Sequence, residues 1–127
     1  MRSTRVLLVD GNAALRTLLA ELLADEPGFH LVGQVARARQ ALSFLERSPV
    51  DVVVVAEHLD DVPGSAVLSR VRDACPEAVI ALWADPQDAD SGSADVLLDR
   101  GGSFRELVQE LRHSVRTARR STQRSNA

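Results

Sequence analysis

The chain of 127 residues has no lysine, no tyrosine, one cysteine and one tryptophan. Cys75 has no partner for a disulfide, and His30, His58 and His113 show no metal-ligand spacing, so no zinc site can be proposed. No apolar run approaches the roughly 20 residues that a membrane span needs. The N-terminal stretch "MRSTRVLLVD" carries only the run Val6–Val9 before its aspartate, too short for a signal-peptide core. These absences point to a cytosolic domain with no membrane contact. All fifteen basic residues are arginine, and the formal net charge of −3 gives no general reason to bind a polyanion.

What is present is ordinary globular material, with 45% hydrophobic and 26% charged residues. A single domain of this length buries roughly 65–70% of the surface its unfolded chain exposes, enough to fold without a metal or disulfide. Strand and helix signals alternate along it. "RVLLVD" reads as a first strand, followed by Asn12 as helix N-cap and an apolar face of Leu15, Leu18, Leu19 and Leu22. "FHLVGQVA" is a second strand, and Ala38, Ala41, Leu42 and Leu45 mark a second helix. "DVVVVA" is a third strand, apolar enough to be buried on both faces. After the turn-rich "HLDDVPG", Val67, Leu68, Val71 and Ala74 form the inner stripe of a third helix. "AVIALWA" and "VLLD" are the fourth and fifth strands. Ser103 and Glu106 then make a capping box for a final helix with Phe104, Leu107, Val108, Leu111 and Val115 inward.

Alternation of this kind predicts an α/β fold, a doubly wound five-stranded parallel sheet with helices on both faces. It fails once. Only twelve residues separate Trp83 from Val96, and they are polar without a helical stripe, so the fourth helix is expected to be shortened or absent. The last twelve residues hold four arginines and no acid. Residues 119–127 are read as a basic flexible tail or linker, and residues 1–118 as the folded domain.

The first strand ending in Asp10, with "VLLVDGNAALRTLLAELL", "LVGQVARARQALSFL" and "SPVDVVVV", resembles the receiver domain of bacterial response regulators over roughly residues 4–118. The likeness is to the form joined to a helix-turn-helix output domain. It implies a flavodoxin-like, receiver-like fold and a role in signalling. It also implies positions for the chemistry, and these depart from the family. The acidic pair that holds magnesium is Asp10–Gly11 here; a hard divalent cation needs several oxygen ligands, and one carboxylate is missing. The phosphate-accepting aspartate falls on Ala56, whose methyl group cannot attack phosphorus. The hydroxyl residue of the fourth strand is Trp83, expected to fill the vacant pocket. The phosphoryl-pairing lysine is Asp99, a reversal of charge, and the aromatic switch position is Val96.

The resemblance therefore implies an atypical, pseudo-receiver domain, not an enzyme, without a cofactor and with no metal unless Asp10 ligates one. It would act in signal transduction or transcription regulation by protein contacts independent of phosphorylation. The alternative is a small-ligand or enzymatic domain of the same fold that uses Asp10, Glu57 and Asp99 at the strand ends, with the glycine turn "RGGS". A one-residue slip of the third strand would bring Glu57 into the acceptor position as a mimic of phosphorylation. Ser65 in "PGSAV" lacks the second flanking glycine of a nucleophile elbow. A protein partner or second copy is expected on the face of the fourth strand, the 85–95 loop and the final helix, with Arg112, Arg116, Arg119 and Arg120 as a basic rim. A DNA-binding output domain outside this chain is a further possible partner.

Overall fold

The computed structural model describes residues 3–87 and 92–125. Five strands, β1 (Thr4–Val9), β2 (Phe29–Val35), β3 (Val52–Ala56), β4 (Val79–Ala84) and β5 (Val96–Asp99), form one parallel sheet in the order β2-β1-β3-β4-β5. The helices are α1 (Ala13–Ala24), α2 (Ala38–Arg47), α3 (Leu68–Ala74), which follows a 3₁₀ turn at Gly64–Val67, and α4 (Phe104–Ser125). This is the doubly wound sheet that the alternation predicts. No helix occurs among the described residues between β4 and β5, and residues 88–91 of the expected 85–95 surface lie outside them. The final helix runs through residues 119–125, which the sequence reading set apart as a tail.

The third strand organises both layers. Val52, Val53, Val54, Val55 and Ala56 are each 0% exposed. Since side chains alternate across a strand, Val52 and Val54 pack with Leu19, Leu23, Leu107 and Leu111 under α1 and α4. Val53 and Val55 pack with Ala41, Leu45, Leu68 and Val71 under α2 and α3. Full burial of one such valine contributes about 1.5–3 kcal/mol, so the four set the position of every other element. At the opposite end of the sheet Arg5 forks onto Asp51, with Nε to Oδ2 at 3.0 Å and Nη2 to Oδ1 at 3.1 Å, and ties the starts of β1 and β3 together.

One sequence expectation needs correction in its depth. Asn12 caps α1, accepting from the Leu15 N–H at 3.0 Å. Yet of the leucine face read there, only Leu19 is buried. Leu18 is 54% and Leu22 40% exposed, while the deeply buried positions are Leu19, Ala20 and Leu23. The apolar stripe is wider than the sheet can cover. The half-buried Trp83 ring packs with the α1 and α4 core, in register with Ala56 on the neighbouring strand.

The turn after β3 is pressed against the strand. The Gly64 N–H donates to the Glu57 carbonyl at 2.6 Å, and a Cβ on Gly64 would stand 2.0 Å from the Ala56 carbonyl oxygen. That contact is with backbone, which cannot swing away. Gly64→Ala should therefore lower stability by at least the ~1–3 kcal/mol typical of overpacking, read as a shift of the urea midpoint.

Candidate functional site

Parallel sheets of this order place ligands beyond the strand C-termini, where β1 and β3 diverge toward opposite crossovers. Asp10 follows β1 at this point. It is 0% exposed, and its Oδ1 accepts the Asn12 N–H at 2.9 Å while its carbonyl accepts from Arg16 Nη1 at 2.7 Å. Its Oδ2 is buried with no hydrogen-bond partner. Burial pushes the Asp10 carboxyl above its ordinary range, against the opposing effects of the Asn12 N–H and the Arg100, Arg16 and His58 charges. Asp10 thus works chiefly as the start of α1.

Gly11 is the position of the missing second carboxylate, and the structure leaves no room for one. Its N–H donates to the His58 carbonyl at 2.9 Å. A Cβ there would lie 2.7 Å from that oxygen and 3.0 Å from Asp60 Oδ1. The loop after β3 has closed onto the backbone where a ligating side chain would project. Ala56 completes the picture: it is wholly buried, in register with Trp83 on β4. A magnesium ion does not fit this donor set, which offers one enclosed carboxylate, a glycine and a methyl group.

The remaining candidates are not brought together. Glu57 turns away from the strand ends, its Oε1 accepting from Ser65 Oγ at 2.8 Å and its Oε2 from the Ser65 N–H at 3.2 Å. The register Val9↔Val55 and Ala56↔Trp83 leaves Ala56, not Glu57, in the acceptor position, so the slipped strand is not what forms. Ser65 serves as this partner to Glu57 at the 3₁₀ turn. Asp99 is exposed and spends Oδ1 on the Gly101 N–H at 2.8 Å. The glycine turn that could have held an anion is thereby occupied by the chain's own carboxylate. Val96 is half-buried and pairs with Ala81.

Three features escaped the sequence reading. Arg100 lies over the Trp83 ring, 4.9 Å from its centroid, a cation–π contact across seventeen residues. Asp61 reaches back to the start of α2, accepting from the Ala38 N–H at 2.8 Å and the Arg39 N–H at 3.1 Å. Large exposed apolar side chains also stand away from β4 and β5: among the described residues they are Leu18 and Leu22 on α1 and Val62 after β3, while Val96 and Leu97 are half-buried. A signal for the last was available, since Leu15, Leu18, Leu19 and Leu22 span more of the helix than one contact line needs.

No family model matches the sequence. Over 88 residues, 69% of this chain and 26% of the relative, it is 32% identical to a protein-glutamate methylesterase/protein-glutamine glutaminase of Anaeromyxobacter dehalogenans. It is 39% identical over 67 residues, 53% of this chain, to the probable transcriptional regulatory protein SgaR of Hyphomicrobium methylovorum, of which it covers 32%. The chain thus spans about a quarter to a third of these curated relatives. Among solved structures it is similar to the signal receiver domain of an HD domain-containing protein from Pseudomonas fluorescens Pf-5, with a TM-score of 0.82 and 26% identity over 98% of this chain and 95% of that one. The fold is that of response-regulator receiver domains.

The buried carboxyl generates a test. A group whose folded pKa is raised contributes stability that is full below its unfolded pKa, about 3.9 for aspartate, and is lost as pH rises through the folded value. At neutral pH Asp10 is therefore a liability. Asp10→Asn keeps an oxygen for the Asn12 N–H and carries no charge, so it should be more stable than wild type at pH 7 by roughly 1–3 kcal/mol. The gain should vanish below about pH 4. Paired urea titrations at the two pH values check both halves.

Proposed function

We propose that this chain is a pseudo-receiver, a receiver-fold domain that takes no phosphoryl group and acts in signal transduction or transcription regulation through protein contacts. The observation that carries the reading is the pair of closures at the strand ends, Ala56 buried at the acceptor position and Gly11 held against the His58 carbonyl. The first removes the nucleophile. The second removes the space for a second metal ligand. Trp83 in place of the hydroxyl and Asp99 in place of the lysine remove the two groups that the resemblance assigns to the phosphoryl oxygens, and the chain has no lysine to replace the second. With no phosphoryl signal, the conformational equilibrium moves only through something that binds one state better than another.

On this reading the domain is not an enzyme, needs no cofactor and works in the cytosol. No helix among the described residues is long and apolar enough to cross a membrane. The domain comprises residues 1–118, and 119–127, of which 119–125 continue α4, lead toward a DNA-binding output domain outside this chain; the likeness to a transcriptional regulator supports that arrangement. The partner is a protein or a second copy. The face read from sequence, with β4 and the final helix at its centre, keeps Trp83 and α4 as members but extends to α1 in preference to the 85–95 loop.

Incubation with acetyl phosphate and magnesium, followed by intact mass, should give no phosphoryl adduct. Ala56→Asp should behave the same, because restoring the acceptor leaves Gly11, Trp83 and Asp99 unchanged. A stable gain of one phosphoryl group on the wild type, mapped to Glu57 or Asp10, would overturn the reading.

A further inference from the structure

We infer that the groove between α1 and α4 is the surface through which two copies of this chain associate. The groove has a volume of about 150 Å³ and is lined by Leu15, Leu18, Leu22, Trp83, Phe104 and Leu107. Leu18 and Leu22 stand at its outer edge, 54% and 40% exposed. These two exposed leucines, one helical turn apart, form with the half-buried tryptophan a single apolar edge along the groove.

The charges on its walls identify the occupant. On α1 the positions flanking the leucines are acidic: Glu21 is three residues after Leu18 and Asp25 seven after it, so both share its side of the helix, and both are exposed. The α4 wall is basic. Arg112 reaches across to Glu26 at 2.7 Å, which fixes the flank of α4 that looks toward α1. Arg105, seven residues earlier, and Arg116, four later, share that flank and are exposed. One wall is thus leucine with acid, the other arginine.

Such an arrangement is complementary to itself. α1 and α4 both run away from the strand C-termini, since each follows its strand there and Arg112 meets the end of α1. A two-fold axis laid along the groove exchanges the walls while keeping the helix directions, so the α1 of each copy faces the α4 of the other. Leu18 and Leu22 then enter the partner's apolar groove, and Glu21 and Asp25 approach the partner's Arg105 and Arg116. An isologous contact of this type uses one patch twice and closes at two copies.

The inference rests on the reading that the domain works through protein contacts, and the experiment separates the two. Sedimentation of the full chain over a dilution series to about 100 μM, a range that detects micromolar association, should show a monomer–dimer equilibrium. Leu18→Glu, at an exposed position, should raise the dissociation constant at least ~tenfold with unchanged circular dichroism. Glu21→Arg and Arg105→Glu should each weaken the dimer, and the double variant should restore it. Trp83 emission should shift across the same dilution, because its ring lines the groove. A wild-type monomer throughout, or a dimer indifferent to Leu18→Glu and to both charge reversals, overturns the inference. Intact mass after acetyl phosphate on the same samples assigns the failure: a monomer without adduct removes this interface alone, whereas an adduct removes the reading beneath it.

Discussion

Everything in this domain is arranged around a central strand that carries no polar side chain. β3 is closed in by β1 on one edge and β4 on the other, and its five side chains are wholly buried in two opposed layers. Neither layer can shift without opening the other, because successive residues of the one strand serve both. Position 56 inherits that environment. It lies on the same side as Val52 and Val54, under the α1 and α4 layer, with Gly64 closed against its carbonyl. A carboxylate at that position would start from a wholly buried Cβ, beside Asp10, which is itself buried and short of a partner. The methyl group is what the surrounding packing accommodates without penalty.

The carboxylates at the strand ends are each used within the fold. Asp10 retains two structural duties that have nothing to do with a metal: its carboxylate takes the Asn12 N–H, and its carbonyl anchors Arg16. Those bonds account for a carboxylate in a place that otherwise disfavours charge. Glu57 and Asp99 are likewise used locally, the one at Ser65 and the other at Gly101. Each carboxylate is held by a different neighbour, and among the described residues no three acidic, histidine or cysteine side chains converge as a metal would need. The site is thus occupied by the protein itself, and the loop from His58 to Gly64 seals it.

How far the sequence could be read depended on the range of the interaction that decides each feature. The strands, α2 and α4 follow from spacing within a few residues, and Asn12 and Ser103 accept the N–H groups their local pattern implies, from Leu15 and Glu106. Burial depth is different. Leu18 and Leu19 are chemically the same and adjacent, yet one is half exposed and the other buried, because the sheet beneath α1 is only wide enough for one line of contacts. Periodicity cannot report the width of the surface a helix will meet. The same holds for Trp83, whose direction is set by Arg100 and by leucines on α1, and for Asp61, whose partners at Ala38 and Arg39 lie more than twenty residues away. The Asp99 turn was legible in principle, as an aspartate two residues before a glycine is a common local bond.

Trp83 joins these two stories. It stands directly beside Ala56 in the sheet, where a receiver would contact its phosphoryl group, and its ring forms part of the floor of the α1–α4 groove. A hydroxyl at that position would respond to an event at the strand ends. The indole instead lies beside Ala56 in the sheet, lines the groove, and carries Arg100 over its face. Coupling between the groove and the strand ends needs two arrangements of the ring that differ in groove shape, and an occupant that prefers one of them. On the pseudo-receiver proposal the direction of information would be opposite to that in a phosphorylated receiver, with an occupant of the groove biasing the packing at the strand ends.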